Sequence, residues 1–90
     1  MNQYFIDFLS EFLGTFILVY VVFKTGNYLA IGATLAILVL FTINFSLSCF
    51  NPAITIALYY NKKININRLL VILVAEILGG LLTIPVMKLK

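Results

Sequence analysis

The stretch "SLSCFNPAITIALYYN", Ser46 to Asn61, decides how this chain is read. Asn51-Pro52 interrupts a long apolar run, and only Pro52 to Tyr60 follow before polar residues resume in "NKKININR", Asn61 to Arg68. Asn is among the preferred N-cap residues. Pro is favoured at the first helical position, where its missing N–H is not needed. The pattern predicts a short helix over about 51–60. At 1.5 Å per residue it reaches roughly 13 Å, about half of a ~30 Å hydrocarbon core. "PAITIALYY" carries no polar face, which argues against a helix lying on a membrane surface. A re-entrant half-helix fits better. Non-helical backbone at membrane depth is tolerated only when buried in protein or lining a water-filled cavity, so "SLSCF" is expected in one of those settings.

The rest of the chain supplies the membrane. Its 90 residues are 63% hydrophobic and 10% charged, with mean hydropathy +1.14, whereas soluble domains are roughly half apolar. Apolar runs cover about 5–23, 29–47 and 69–87, each near the ~20 residues that a spanning helix needs. None shows the charged stripe of an amphipathic surface helix. The expected architecture is therefore an all-α membrane protein, integral and multi-pass. It has three transmembrane helices plus one re-entrant half-helix, in one unit over 1–90. No basic region precedes the first run, and Glu11 interrupts what would be the apolar core of a signal peptide, so this run is expected to be a retained span.

Catalysis finds no support. There is no His, no metal-ligand cluster, no phosphate loop and no nucleophile with a neighbouring base. Neither enzyme, cofactor nor metal is expected. The +3 net charge does not point to nucleic acid, because the six basic residues flank spans and loops, where they meet lipid headgroups. Cys49 is the single cysteine and excludes an intrachain disulfide. It either faces a pore or is a buried, inert thiol.

A helix N-terminus carries about half a positive elementary charge and free N–H donors. The Asn51 amide adds two more donors. A small neutral polar solute can pass such a tip, whereas a hydronium or metal cation meets an electrostatic barrier. Asn-Pro by itself marks only a turn or a helix start. Context adds to it. "SEFLGTFILVY" with Glu11, Gly14 and Thr15, "NPAITIA" through Thr55 and Ala57, and "VAEILGG" with Ala75 and Gly79 occur in that order. Together they make a sequence that resembles the major intrinsic protein family, the aquaporins and glycerol facilitators, and specifically the N-terminal half of that fold.

The resemblance implies a channel subunit for passive movement of water or small neutral solutes such as glycerol. Ser48, Cys49, Asn51, Pro52 and Ala53 would lie along the pore, and Ile31 falls where an aromatic filter residue is often found. It gives Glu11 the role of supporting the loop that carries the half-helix. Glu76 stands where the family usually has Gln and is placed in the same supporting role. Gly14 and Thr15 follow Glu11 at i+3 and i+4, as Gly79 and Gly80 follow Glu76, so both small-residue faces are expected to pack inside the bundle. Asp7, near the membrane boundary, is expected to be solvated. The sequence also departs from the family pattern, with Leu47 in place of a Gly, Cys49 in place of a His, and Ile54 where the family's second half carries a filter Arg.

Family members usually fuse two inverted halves, so a single half is expected to pair. The partner would be a second copy in an antiparallel homo-oligomer or a second aquaporin-like half. Lys62, Lys63 and Arg68 fall on one side of the membrane and Lys24, Lys88 and Lys90 on the other, a balance that favours neither orientation under the positive-inside rule. Three alternatives stay open: a small proton-coupled cation exporter using Glu11 or Glu76, a non-conducting regulatory subunit, and a truncated relic of a channel.

Overall fold

The computed structural model describes residues 2–89. Its helices are α1 (Gln3–Thr25), α2 (Tyr28–Thr42), α3 (Pro52–Tyr60) and α4 (Ile66–Met87). Each begins at an asparagine. The side-chain oxygens of Asn2, Asn27, Asn51 and Asn65 accept from the backbone N–H groups of Tyr4, Ala30, Ala53 and Arg68 at 2.6, 2.9, 2.8 and 2.8 Å. Each cap satisfies one of the donors that a helix start leaves orphaned. Helix α1 stops at Gly26, whose φ of 54° is the left-handed conformation that closes a helix without a Cβ clash.

Helices α1 and α4 run parallel in close contact. Arg68 reaches Asp7 near their starts, and further along Gly79 abuts Phe12 and Phe16. A Cβ on Gly79 would collide with the Phe12 carbonyl oxygen, so the absent side chain is what lets the two backbones touch. A Cβ on Gly80 would meet only Val19, at an ordinary 3.8 Å. Asp7, expected to be solvated, is instead 1% exposed. It accepts two bonds from Arg68, from Nε at 2.8 Å and Nη2 at 2.9 Å, and a third from Gln3 Nε2 at 2.8 Å. Parallel packing brings both charges to one level, and a buried carboxylate persists only with such partners.

Helix α2 returns antiparallel along α1. Gln3 Nε2 donates to the Phe45 carbonyl at 3.3 Å just beyond the end of α2, and Leu38 and Thr42 lie opposite Ile6, Leu9 and Leu13 across a cleft. The helix ends at Thr42 rather than continuing to 47 as the apolar run suggested, so its 15 residues extend roughly 22 Å. The cause is local competition. Phe45 and Ser46 N–H both turn back to the Thr42 carbonyl, and Ser46 Oγ accepts from Ser48 N–H at 2.9 Å. Serine oxygens offer the backbone an alternative to the helix that hydropathy does not register.

The segment 46–61 begins at the α1 start, reaches the level of Glu11 and Glu76, and comes back as α3, antiparallel to α4, to Asn65. That level lies roughly 12–15 Å along the axes of α1 and α4 from their starts. The polarity of the molecule is inverted. Asp7, Glu11, Thr15, Ser46, Ser48, Thr55, Glu76 and Thr83 are buried, while Leu40 and Phe41 are 69% and 72% exposed. Helices α1 and α4, with 23 and 22 residues, are long and apolar enough to cross a membrane, and the 40 Å long axis matches a bilayer of ~40–45 Å with its headgroups.

Candidate functional site

The candidate site is the tip of α3 and the loop that presents it. Ser48 and Phe50 have φ of 55° and 51°, left-handed conformations that cost a non-glycine residue energy and persist only where surroundings enforce them. With Cys49 between them, this alternation turns successive N–H groups to one side, as in anion-binding nests. Here the acceptors are side-chain carboxyl oxygens. Glu11 Oε2 accepts from Cys49 N–H at 3.1 Å and Oε1 from Phe50 N–H at 2.8 Å, while Glu76 Oε2 accepts from Asn51 N–H at 3.0 Å. Each of these donors, left buried and unpaired, would cost about 1–3 kcal/mol. Glu11 and Glu76 are 0% and 2% exposed, and the loop supplies the bonds that make this burial tolerable.

Thr55 completes the arrangement. Its Oγ1 lies 2.9 and 3.1 Å from the two Glu76 oxygens and 3.1 Å from the Asn51 carbonyl, and the residue is fully buried. In the sequence Thr55 stands out only as part of the "NPAITIA" motif, and its bond to Glu76 is not legible there. The available signal was a lone hydroxyl in the first turn of an otherwise apolar helix, four residues after its cap. Gly14 serves the same loop, because the Phe50 ring occupies the space its side chain would need.

Asn51 Oδ1 is turned back to Ala53 N–H, which leaves the amide NH2 as the free end of an exposed side chain. Pro52 and Ala53 are exposed beside it. Thr15, Asn51, Pro52, Glu76 and Gly80 share one open cleft of about 510 Å³, and the buried Thr15 Oγ1 has no hydrogen-bond partner there. Ser48 and Cys49 are buried beneath the tip, with Ser48 Oγ 2.6 Å from Thr42 Oγ1. Ile31 is not brought to this cluster. It sits in the first turn of α2, which packs on α1, whereas α3 packs on α4. Among the described residues no group of acidic, Cys or His side chains is placed to hold a metal.

A helical bundle that is apolar outside and polar inside, with a short helix pinned at mid-length by buried carboxylates, is an integral membrane protein. The sequence pattern of the family described as "Major intrinsic protein" matches residues 3–90, and the chain belongs to that family, whose members are channels and not enzymes. Among curated proteins it is 32% identical over 90 aligned residues to a "Glycerol uptake facilitator protein-like 6" of Lactiplantibacillus plantarum. That alignment takes in 90% of this chain and 42% of the relative, so the chain spans less than half of that protein's length. No solved structure matches it.

Proposed function

We propose that this chain is one half of a channel for water or small neutral solutes such as glycerol, and that a pore forms when two halves pair. In this reading α1, α2 and α4 are the three spans and α3 is a re-entrant half-helix whose tip lies near the bilayer midplane. The observation that carries it is the exposed Asn51-Pro52-Ala53 tip held at mid-length by Glu11 and Glu76. Such a tip offers N–H donors to a solute oxygen and a positive potential that repels cations. The second half is another copy in the opposite orientation or a separate aquaporin-like half. Lys62 and Lys63 at one end face Lys24 and Lys88 at the other, while Arg68 is neutralised by Asp7. Lys90 lies outside the described residues. Inverted halves meeting at a midplane site are a recurrent membrane architecture.

Proton-coupled export is disfavoured, since both buried carboxylates already accept the bonds that hold the loop, and a cargo cation would have to displace them. The reading set beside the channel is a non-conducting subunit. Stopped-flow light scattering on proteoliposomes of the purified chain separates the two. Water or glycerol flux above that of empty liposomes is expected, and Asn51→Asp should lower it several-fold by replacing donors with an acceptor-only carboxylate. Flux equal to empty liposomes from a folded, inserted chain supports the non-conducting subunit.

A further inference from the structure

The end of the molecule where α3 closes and α4 begins carries a second feature that the channel reading does not use. Tyr59, Tyr60, Lys62, Lys63, Ile64 and Asn65 surround an open cleft of about 540 Å³. Its backbone is fixed from three sides. Lys62 N–H donates to the Tyr59 carbonyl and Lys63 N–H to the Leu58 carbonyl, both at 2.9 Å. Ile64 is buried, and the Asn65 side chain caps α4. Lys62 itself is held at φ 61°, a left-handed conformation in a residue that is not glycine. This is the left-handed closure of the α3 C-terminus, and it leaves both adjacent ammonium groups at the surface.

Among the described residues those charges have no free acid to meet. The chain's three side-chain carboxylates, Asp7, Glu11 and Glu76, are all buried, and Asp7 is taken by Arg68. Tyr59 and Tyr60 pack edge to face with ring centroids 5.2 Å apart, and Tyr60 is 77% exposed. Tyrosine belongs at the headgroup level, where its ring meets acyl chains and its hydroxyl meets water. The cleft opens at the start of α4, which is where a spanning helix enters that level.

We propose that this turn is a binding site for the phosphate of an anionic lipid, with Lys62 and Lys63 as its counter-charges and the Tyr59–Tyr60 pair against its glycerol backbone and upper acyl chain. A paired lysine cluster next to a span attracts anionic lipid in proportion to its charge. The site depends on the chain lying in a bilayer and not on whether it conducts.

The test uses tyrosine fluorescence of the full chain in vesicles of equimolar phosphatidylcholine and phosphatidylglycerol, with quenching bromine carried on the acyl chains of one lipid or the other. Y59F/Y60F supplies the emission of the remaining tyrosines to be subtracted. Brominated phosphatidylglycerol is expected to quench Tyr59 and Tyr60 more strongly than brominated phosphatidylcholine. The preference should fall by about five-fold for each lysine removed in K62Q and K62Q/K63Q, and weaken with added salt. Equal quenching by the two lipids in the unmodified chain overturns the proposal. So does a preference that survives in K62Q/K63Q with helical content unchanged. Loss of the preference on adding inorganic phosphate to the aqueous phase at constant ionic strength would assign the site to free phosphate instead.

Discussion

Helix α4 meets α1 through a buried ion pair, a backbone-to-glycine contact and two carboxylates that reach a common loop. Helix α2 meets the same α1 across an apolar cleft of about 400 Å³, has no fully buried residue, and is tied to α1 by the Gln3 bond to the Phe45 carbonyl just beyond its end. In lipid the two faces differ in kind. Apolar side chains gain little by leaving acyl chains for one another, so close packing and polar bonds specify which helices associate. The α1–α4 seam is specified in this sense. The α1–α2 face leaves α2 open to a further neighbour.

That contrast can be broken, and the largest effect is expected at Glu11. Glu11→Ala leaves Cys49 and Phe50 N–H buried without acceptors, a loss of roughly 2–6 kcal/mol on two donors at 1–3 kcal/mol each. Size-exclusion chromatography in detergent should show the folded species lost. A monodisperse, fully helical Glu11→Ala chain would mean that the loop is held by something other than the carboxylates.

Gly79→Ala comes next, at about 1–3 kcal/mol of overpacking against an unyielding backbone oxygen. Its neighbour sharpens the point. Gly80→Ala should be neutral or stabilising by up to ~1 kcal/mol, since the added methyl meets only Val19 at 3.8 Å and glycine is a poor helix former. Thermal unfolding of the pair in one detergent reads the difference directly, and equal midpoints would remove the close-contact argument.

Asp7→Asn should cost about 1–2 kcal/mol, below the 3–5 of a fully buried pair, because the Arg68 side chain is 25% exposed and can turn to water. The double variant Asp7→Asn/Arg68→Gln should recover part of that loss, and no recovery would deny the coupling. The smallest effect is expected on the other face. Leu38→Ala on α2 removes contacts that lipid replaces, and should shift stability by less than ~1 kcal/mol. A loss as large as that at Gly79 would show the α1–α2 face to be specified after all.

Parts of this architecture were legible without coordinates. The Asn51-Pro52 start of α3 follows from capping chemistry that is local to a few residues. The end of α2 was not legible. Ile43, Phe45 and Leu47 continue the apolar run, while the chain turns at Thr42 through backbone bonds from Phe45 and Ser46, followed by a Ser46 side-chain bond to Ser48 N–H that depends on the fold of the loop beyond.

What the sequence determined by itself was the solvent and the segments: long apolar runs that belong in lipid, a nine-residue helix too short to cross it, and the family that these residues resemble. Only the tertiary structure decided the partners. Asp7 meets Arg68 across 61 residues of chain, Glu11 meets the Cys49 and Phe50 N–H groups across 38 and 39, and Glu76 meets Thr55 across 21. It also decided that Gly79, and not Gly80, is the contact between helices. Capping and hydropathy act over a few neighbouring residues and can be read in order along the chain. A buried charge must find its partner wherever packing brings one within about 3 Å, and one-dimensional spacing does not encode that encounter.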